Sequence, residues 1–438
     1  MILNVKNIFS NNKVYLYLSL FFLTLKLLVL IIISQSTNFS TPDSIGYLAL
    51  SSELIQNYLM RPPAILEISL IRTPGYPAFL FLLNNSLDAI IFVQIVLHLI
   101  MSFLALLLLN KIKPDSNNFT KYLIFTLIQI ESSLLVYSFR ILSEVIFAFF
   151  ILVLLYLLAL KHKQSNQTKI NISIFLVLAI IFMIRPIAVA FFVVFALMAL
   201  ITSLKQFYST LLIVSLMIVG GYSLFNQSKA GVFTYSLIQN HNLLYWEAAG
   251  AKAISLKSPL REIQDQERER LGSIMGNEKN YAFQDSYNRS RALEIIQENK
   301  ISFAKMHFIG VAKILYGPNR FELIDILSDR GRITLNNNFK NIVVGISLFM
   351  TILISTLGLF GSIRFFSYGP VFKFMTLLLI VMLGLSGGPQ AYGRFRVPIS
   401  VILVIYASIF IDKQFFSNQS LRRKISMHFK FFHKKKKH

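Results

Sequence analysis

The stretch Ala89–Leu109 reads AIIFVQIVLHLIMSFLALLLL and contains no Asp, Glu, Lys or Arg. As a helix it would span about 30 Å at a rise of about 1.5 Å per residue, the thickness of the bilayer hydrocarbon. Nine further apolar runs are suited to crossing: Val14–Ser34, Lys121–Phe139, Ile141–Leu160, Ile170–Ile184, Ile187–Thr202, Thr210–Phe225, Asn341–Phe360, Phe374–Gly387 and Val397–Ile411. The last two and Ile170–Ile184 are short, so tilt or extension at their ends is expected. These runs predict an all-α integral membrane protein with about ten transmembrane helices.

Composition agrees. The chain has 438 residues, of which 55% are hydrophobic and 14% charged, against about 25% charged in a soluble domain. There are 40 Phe and the mean hydropathy is +0.61. Net charge is +23, from 43 basic and 20 acidic residues. In a soluble protein that excess would suggest nucleic acid. Here the basic residues lie in short gaps between apolar runs, which is the positive-inside pattern, so no nucleic-acid partner is read from it. Lys434–Lys437 reads as a tail facing anionic lipid. With no Cys, disulfides and thiolate metal sites are excluded. Val14–Ser34 is too long for a signal-peptide core and no small-x-small cleavage site follows, so it is expected to stay as an anchor.

The Lys/Arg bias sets the topology. Lys6 and Lys13, Lys111, Lys113 and Lys121, Lys161, Lys163 and Lys169, Lys205, Arg364 and Lys373, and Arg422 and Arg423 all fall on one side when ten spans alternate. Both termini are then cytoplasmic. Four regions follow. Residues 1–225 form an N-terminal membrane module whose first outer loop is 35–88. Residues 226–340 form a large outer region, 341–412 the C-terminal spans, and 413–438 a basic tail. The outer region holds Trp246, a polar stretch Arg261–Arg270 expected as a solvated helix, and Ser302–Tyr316, expected as a helix in the outer interface. No internal repeat or inverted symmetry of the transporter kind is present.

Charges at or inside a membrane face are costly, and therefore informative. Asp43 follows the first run. Arg72 precedes Thr73-Pro74-Gly75-Tyr76-Pro77. Arg140 and Glu144 flank the turn between the third and fourth runs, Arg185-Pro186 closes the fifth, and Arg394 and Arg396 open the tenth. Short outer turns should be depleted in arginine, so these arginines ask for an anionic partner. Each also has a plainer explanation. Asp43 and Glu144 suit the first turn of a helix, where a carboxylate meets the positive dipole end, and the arginines can snorkel to headgroups. His98 and His307 lack metal-ligand spacing and read as structural. Lys26 and Glu131 lie at matching depth below the outer ends of the first and third runs, which suggests a buried ion pair between them.

Four segments recur in a telling order: Asp43-Ser44-Ile45-Gly46-Tyr47, Arg72-Thr73-Pro74-Gly75-Tyr76-Pro77, Ser143-Glu144, and Gly393-Arg394-Phe395-Arg396-Val397-Pro398. Together with Ala292–Asn299, His307 and Gly317-Pro318, they resemble the GT-C membrane glycosyltransferases, more narrowly the branch of the lipid A aminoarabinose transferase and the protein O-mannosyltransferases. The resemblance spans nearly the whole chain. It implies an inverting glycosyltransferase of a bacterial plasma membrane, with a polyprenyl-phosphate-linked sugar donor and a glycan, lipid or protein acceptor on the exported side. It maps the catalytic base onto Asp43 and a second acid onto Glu144, which would orient the acceptor or hold a divalent ion. Arg72, Arg394 and Arg396 become donor-phosphate candidates, since guanidinium forks match phosphate oxygens. Tyr47, Tyr76 and Arg140 would support them. No cofactor is required by the sequence, and a divalent cation is left open. The O-mannosyltransferases carry Asp-Glu in the first loop where this chain has Asp43-Ser44, which weakens the protein-mannosylating reading. The rivals are a lipid-linked sugar transporter or flippase, an O-antigen ligase or polymerase, and a non-catalytic scaffold.

Overall fold

The computed structural model describes residues 13–33, 41–60, 66–163, 168–276, 280–327 and 336–416. Lys6, Arg422 and Arg423, and the Lys434–Lys437 tail lie outside these residues. Among the described residues there is no strand, and 87% of the structure is helical.

In chain order the N-terminal module comprises α1 (Lys13–Ile33), α2 (Pro42–Ser52), α3 (Leu66–Ile71), α4 (Gly75–Leu82), α5 (Leu87–Ile112), α6 (Asn118–Ile130), α7 (Ser132–Tyr137), α8 (Glu144–Lys163), α9 (Thr168–Ile184), α10 (Ala190–Ile201) and α11 (Lys205–Ala230). The segment 226–340, expected as the outer region, holds α12 (Ile238–Asn242), α13 (Ala249–Leu256), α14 (Leu260–Met275), α15 (Tyr281–Glu298), α16 (Lys300–Tyr316) and α17 (Arg320–Leu327). The chain ends in α18 (Asn337–Phe365), α19 (Pro370–Ser386) and α20 (Val397–Phe416). Six of these helices, α1, α5, α8, α11, α18 and α20, are long and apolar enough to cross a membrane. Three shorter apolar helices cover Thr168–Ile184, Pro186–Ile201 and Pro370–Ser386.

The third expected run is not one helix. It breaks at Glu131, whose backbone turns to φ −59° and ψ 122°. The Glu131 carboxylate caps the next helix by accepting from Leu134 N at 2.8 Å. A side-chain oxygen there satisfies one of the orphan N–H groups that every helix start exposes. The other carboxylate oxygen pairs with Arg396 Nε at 3.2 Å. Arg396 is 1% exposed, and all three of its nitrogens are engaged by the protein. Nη1 donates to Ile314 O at 2.9 Å and Gly317 O at 3.1 Å, which closes the C-terminus of α16. Nη2 donates to Ser132 Oγ at 3.2 Å and Thr351 Oγ1 at 3.4 Å. One guanidinium thus ties α7, α16, α18 and the start of α20.

The expected Lys26–Glu131 pair does not form. Lys26 Nζ instead donates to Gln129 Oε1 at 2.7 Å and lies 2.9 Å from His98 Nδ1. His98 Nε2 lies 2.8 Å from Ile128 O, so Nε2 carries the proton and Nδ1 accepts from the ammonium. Glu131 is instead claimed by the guanidinium of Arg396, from the far end of the chain.

Small residues set the closest helix contact. A Cβ on Gly358 would fall 2.8 Å from Leu403 O, and one on Gly361 would fall 2.5 Å from Tyr406 O. The paired positions advance together, so α18 and α20 run parallel, packed backbone to backbone as membrane helices with small residues do. In the outer region, α14 buries Ile263, Glu267 and Leu271 on one face. That helix is therefore half packed rather than solvated all round. Glu267 is held by Lys252 at 3.0 Å and Arg291 at 3.1 Å. On α16, Met306, Gly310, Ile314 and Leu315 are buried while Ile301 and Phe308 are about four-fifths exposed, an apolar outer face of the kind an interfacial helix presents.

Removing one partner of a buried pair leaves an uncompensated charge, at a cost of about 3–5 kcal/mol. Glu131→Gln and Arg396→Met are each expected to lower the unfolding temperature of the detergent-solubilised protein. The double variant should recover part of the loss but not all, because the α16 carbonyls also lose their donor. A double variant no better than the worse single would dispose of this coupling.

Candidate active site

The helix α2 is built to present Asp43. Thr41 is its N-cap: Thr41 Oγ1 accepts from Ser44 N at 3.3 Å, and Ser44 Oγ accepts from Thr41 N at 2.8 Å. Pro42 occupies the first helical position, where its missing N–H costs nothing. Asp43 therefore sits in the first turn at the positive end of the dipole. Ser44 Oγ also donates to Ile141 O at 2.8 Å, fastening α2 beside the start of α8. The serine that departs from the O-mannosyltransferase pattern thus has an architectural role here.

Arg72 is delivered by the turn Thr73-Pro74-Gly75. A Cβ on Gly75 would meet Met183 O at 2.6 Å, so only glycine lets α4 seat against the end of α9. Tyr76, fully buried, packs edge-on against Tyr47 with centroids 4.8 Å apart. Its hydroxyl donates to Gln94 Oε1 at 3.2 Å. The Arg72 guanidinium lies over the Tyr47 ring at 4.4 Å, an arrangement that gains cation–π attraction. It donates from Nη2 to Asp43 Oδ1 at 2.7 Å. Arg394 donates from Nη1 to Asp43 Oδ2 at 2.5 Å and from Nε to Glu144 Oε1. Glu144 Oε1 also pairs with Arg185 Nη1 at 2.6 Å. Glu144 itself is wholly buried.

The result is one alternating chain, Arg72–Asp43–Arg394–Glu144–Arg185, drawn from five separate segments. Burial by itself would raise the pKa of Asp43. Arg394 and Arg72 more than reverse that and hold its carboxyl down to about 2. Four of its five members, Arg72, Arg394, Glu144 and Arg185, are less than a fifth exposed in their side chains. Charges at such a recessed, partly dry position interact more strongly than in water.

Of the expected residues, Asp43, Glu144, Arg72 and Arg394 come together, with Tyr47 and Tyr76 as their packing support. Arg396 does not join them; it is the buried tie described above, so the expectation that it grips a donor phosphate is replaced by a structural role. Arg140 is apart as well. It pairs with Asp325 while Tyr137 donates to Glu322 Oε1 at 3.1 Å, and these two contacts hold α17 to the α7 end. Arg185, noted in the sequence as a charge at the end of the fifth run, was not assigned to the site. Its signal was present, an arginine before proline at an outward end, but a lone residue gave no reason to separate it from a snorkelling one. Among the described residues no group of three or more His, Cys, Asp or Glu is placed to hold a metal ion. Both carboxylates of the cluster face guanidiniums. No protein-family model matches the sequence, and no curated protein matches it.

The depressed pKa gives a signed expectation. A carboxyl ordinarily titrating at 3.8 but held at about 2 in the folded chain contributes stability in full above about pH 4. That contribution disappears as pH falls through about 2. Thermal unfolding followed from pH 5 to pH 2 should narrow the gap between wild type and Asp43→Asn. A gap constant over that range would contradict the ion pairs.

Proposed function

We propose that the chain is a ten-span inverting glycosyltransferase of a bacterial plasma membrane. It uses a polyprenyl-phosphate-linked sugar donor and an acceptor on the exported side. The observation that carries this reading is the meeting of one accessible carboxylate, Asp43, with the guanidiniums of Arg72 and Arg394 at the outer ends of apolar helices. An acid and two phosphate-matching forks are the groups that transfer from a lipid phosphate needs.

In this reaction the acceptor hydroxyl oxygen bonds to the sugar C1 from the face opposite the leaving group. The C1–O bond to phosphate breaks, its electron pair leaves on the phosphate, and the hydroxyl proton passes to Asp43. Arg72 and Arg394 stabilise the charge that grows on the leaving phosphate. Arg185 and Glu144 hold Arg394 in place. No step is routed through a divalent ion. The transporter reading explains this cluster less well, since it has no use for a base seated between two phosphate-matching guanidiniums.

Lipid-linked glycan and lipid A profiling of a deletion strain by mass spectrometry tests the reading. A missing sugar mass is expected, and an unchanged profile of lipids and glycans would count against transfer. In the purified protein, Asp43→Asn should cut turnover on the order of 10²–10⁴-fold, and Arg394→Lys should impair it because an ammonium is not a planar fork. Topology is checked separately. Reporters after Lys113, Lys163, Lys205 and Arg364 should read cytoplasmic, and those at Glu53, Arg140 and Glu278 exported. A cytoplasmic signal at Glu278 would overturn the outward placement of the site.

A further inference from the structure

We infer that Asp43 competes with the substrate phosphate for the same guanidinium nitrogens, so that phosphate binding displaces Asp43 and thereby frees it as a base. The inference rests on the donor chemistry proposed above and adds an order of events to it.

Geometry is the first support. Asp43 presents two oxygens to two different guanidiniums, Oδ1 to Arg72 Nη2 at 2.7 Å and Oδ2 to Arg394 Nη1 at 2.5 Å. Two anionic oxygens bridging two forks is also how a phosphate would be gripped. The two anions therefore cannot both have these nitrogens at this distance. A carboxylate clamped in this way is a poor base, because both oxygens already accept from cations and its charged form is the favoured one.

The second support is which member can yield. Arg394 is anchored through Glu144, whose side chain is 0% exposed and which is braced from its other side by Arg185. Arg72 lies on the Tyr47 ring, and Tyr47 is itself wedged against Tyr76. Asp43 is the most exposed member, at 34% of its side chain. It is also a short side chain in the first turn of a helix, so a rotamer change alone moves it.

Charge is the third. The cluster carries three guanidiniums and two carboxylates, one positive charge in excess. A phosphodiester carries one negative charge, so it neutralises that excess without expelling Glu144. Once the phosphate holds Arg72 and Arg394, the carboxylate of Asp43 is relieved of both cations and can take the acceptor proton. Donor binding then precedes activation of any hydroxyl, water included, which protects the site from misplaced proton transfer.

The test uses the full chain in nanodiscs, with farnesyl phosphate and inorganic phosphate as separate probes. Wild type is compared with Asp43→Asn and Asp43→Ala, each shown to be folded by thermal unfolding. Removing the competing anion should tighten farnesyl phosphate binding on the order of 10-fold, even as transfer is lost. Unchanged or weaker binding in the folded variants would overturn the competition while leaving the donor class intact. Farnesyl phosphate binding to no form would sink the donor class itself, and the competition with it. Tightening for inorganic phosphate alike supports the competition and assigns recognition to the phosphate; tightening for the farnesyl ester alone supports it and adds the lipid. The wild-type protein supplies a check that needs no variant. Carbodiimide labelling of Asp43 should rise when farnesyl phosphate binds, and a fall would overturn the displacement.

Discussion

A carboxylate with no access to solvent at the start of an apolar helix has to be paired, or its desolvation would expel its charge. Glu144 is in that position, and two guanidiniums are drawn onto one of its oxygens. Much of the architecture around it follows from meeting this demand. Arg185 arrives because Pro186 ends the α9 helix and turns the preceding residue to an extended conformation, φ −146° and ψ 134°. Arg394 arrives from a 3₁₀ turn, Gly393–Arg396, that precedes α20. That turn fits only because residue 393 has no side chain: a Cβ there would fall 1.8 Å from Asn319 Oδ1. Once Arg394 is fixed, its other face is available for Asp43.

The two arginines of the tandem show how one short turn divides structure from chemistry. Arg394 and Arg396 are two residues apart, and in a 3₁₀ turn such positions do not share a face. Arg394 points its charge at the cluster. Arg396 sends its own to Glu131 and to the carbonyl ends of α16. Two backbone carbonyls and a carboxylate are thereby satisfied in a dry interior. The same burial that makes Arg396 valuable to the fold leaves it no nitrogen for a ligand.

Much of the fold was legible because its signal is periodic and physical. Each of the ten apolar runs carries helix, and six of the described helices are long and apolar enough to cross a membrane, since in hydrocarbon a backbone must satisfy its own hydrogen bonds. What the runs did not reveal was the interruption at Glu131. A glutamate inside an apolar stretch reads as a depth, and only the three-dimensional fold supplies a partner from 265 positions away. The site was legible for a different reason. Arginine in short outer turns contradicts the positive-inside bias, and that contradiction located Arg72 and Arg394. It also swept in Arg140 and Arg396, because the anomaly marks any buried anion, whether it belongs to a ligand or to the protein.

The outer region illustrates the same limit from the opposite side. His307 reads as structural in the sequence, and its Nε2 does donate to Gly384 O at 2.8 Å. Its Nδ1, however, lies 3.4 Å from Glu247, whose carboxyl is pushed up to about 8 by burial. Burial thus disfavours the charged form of Glu247 in a half-buried seam. The seam matters because Gly387 lies against His307 and Gly388 against Glu247, each too close to accept a Cβ. These two glycines begin the loop that ends at Arg394. The outer region therefore touches the cluster through that loop, with the α16 helix gripped at one point by Gly384 and at its end by Arg396. A sequence can supply the histidine, the glutamate and the glycines. That they converge on the loop carrying the central arginine is a property of the packing alone.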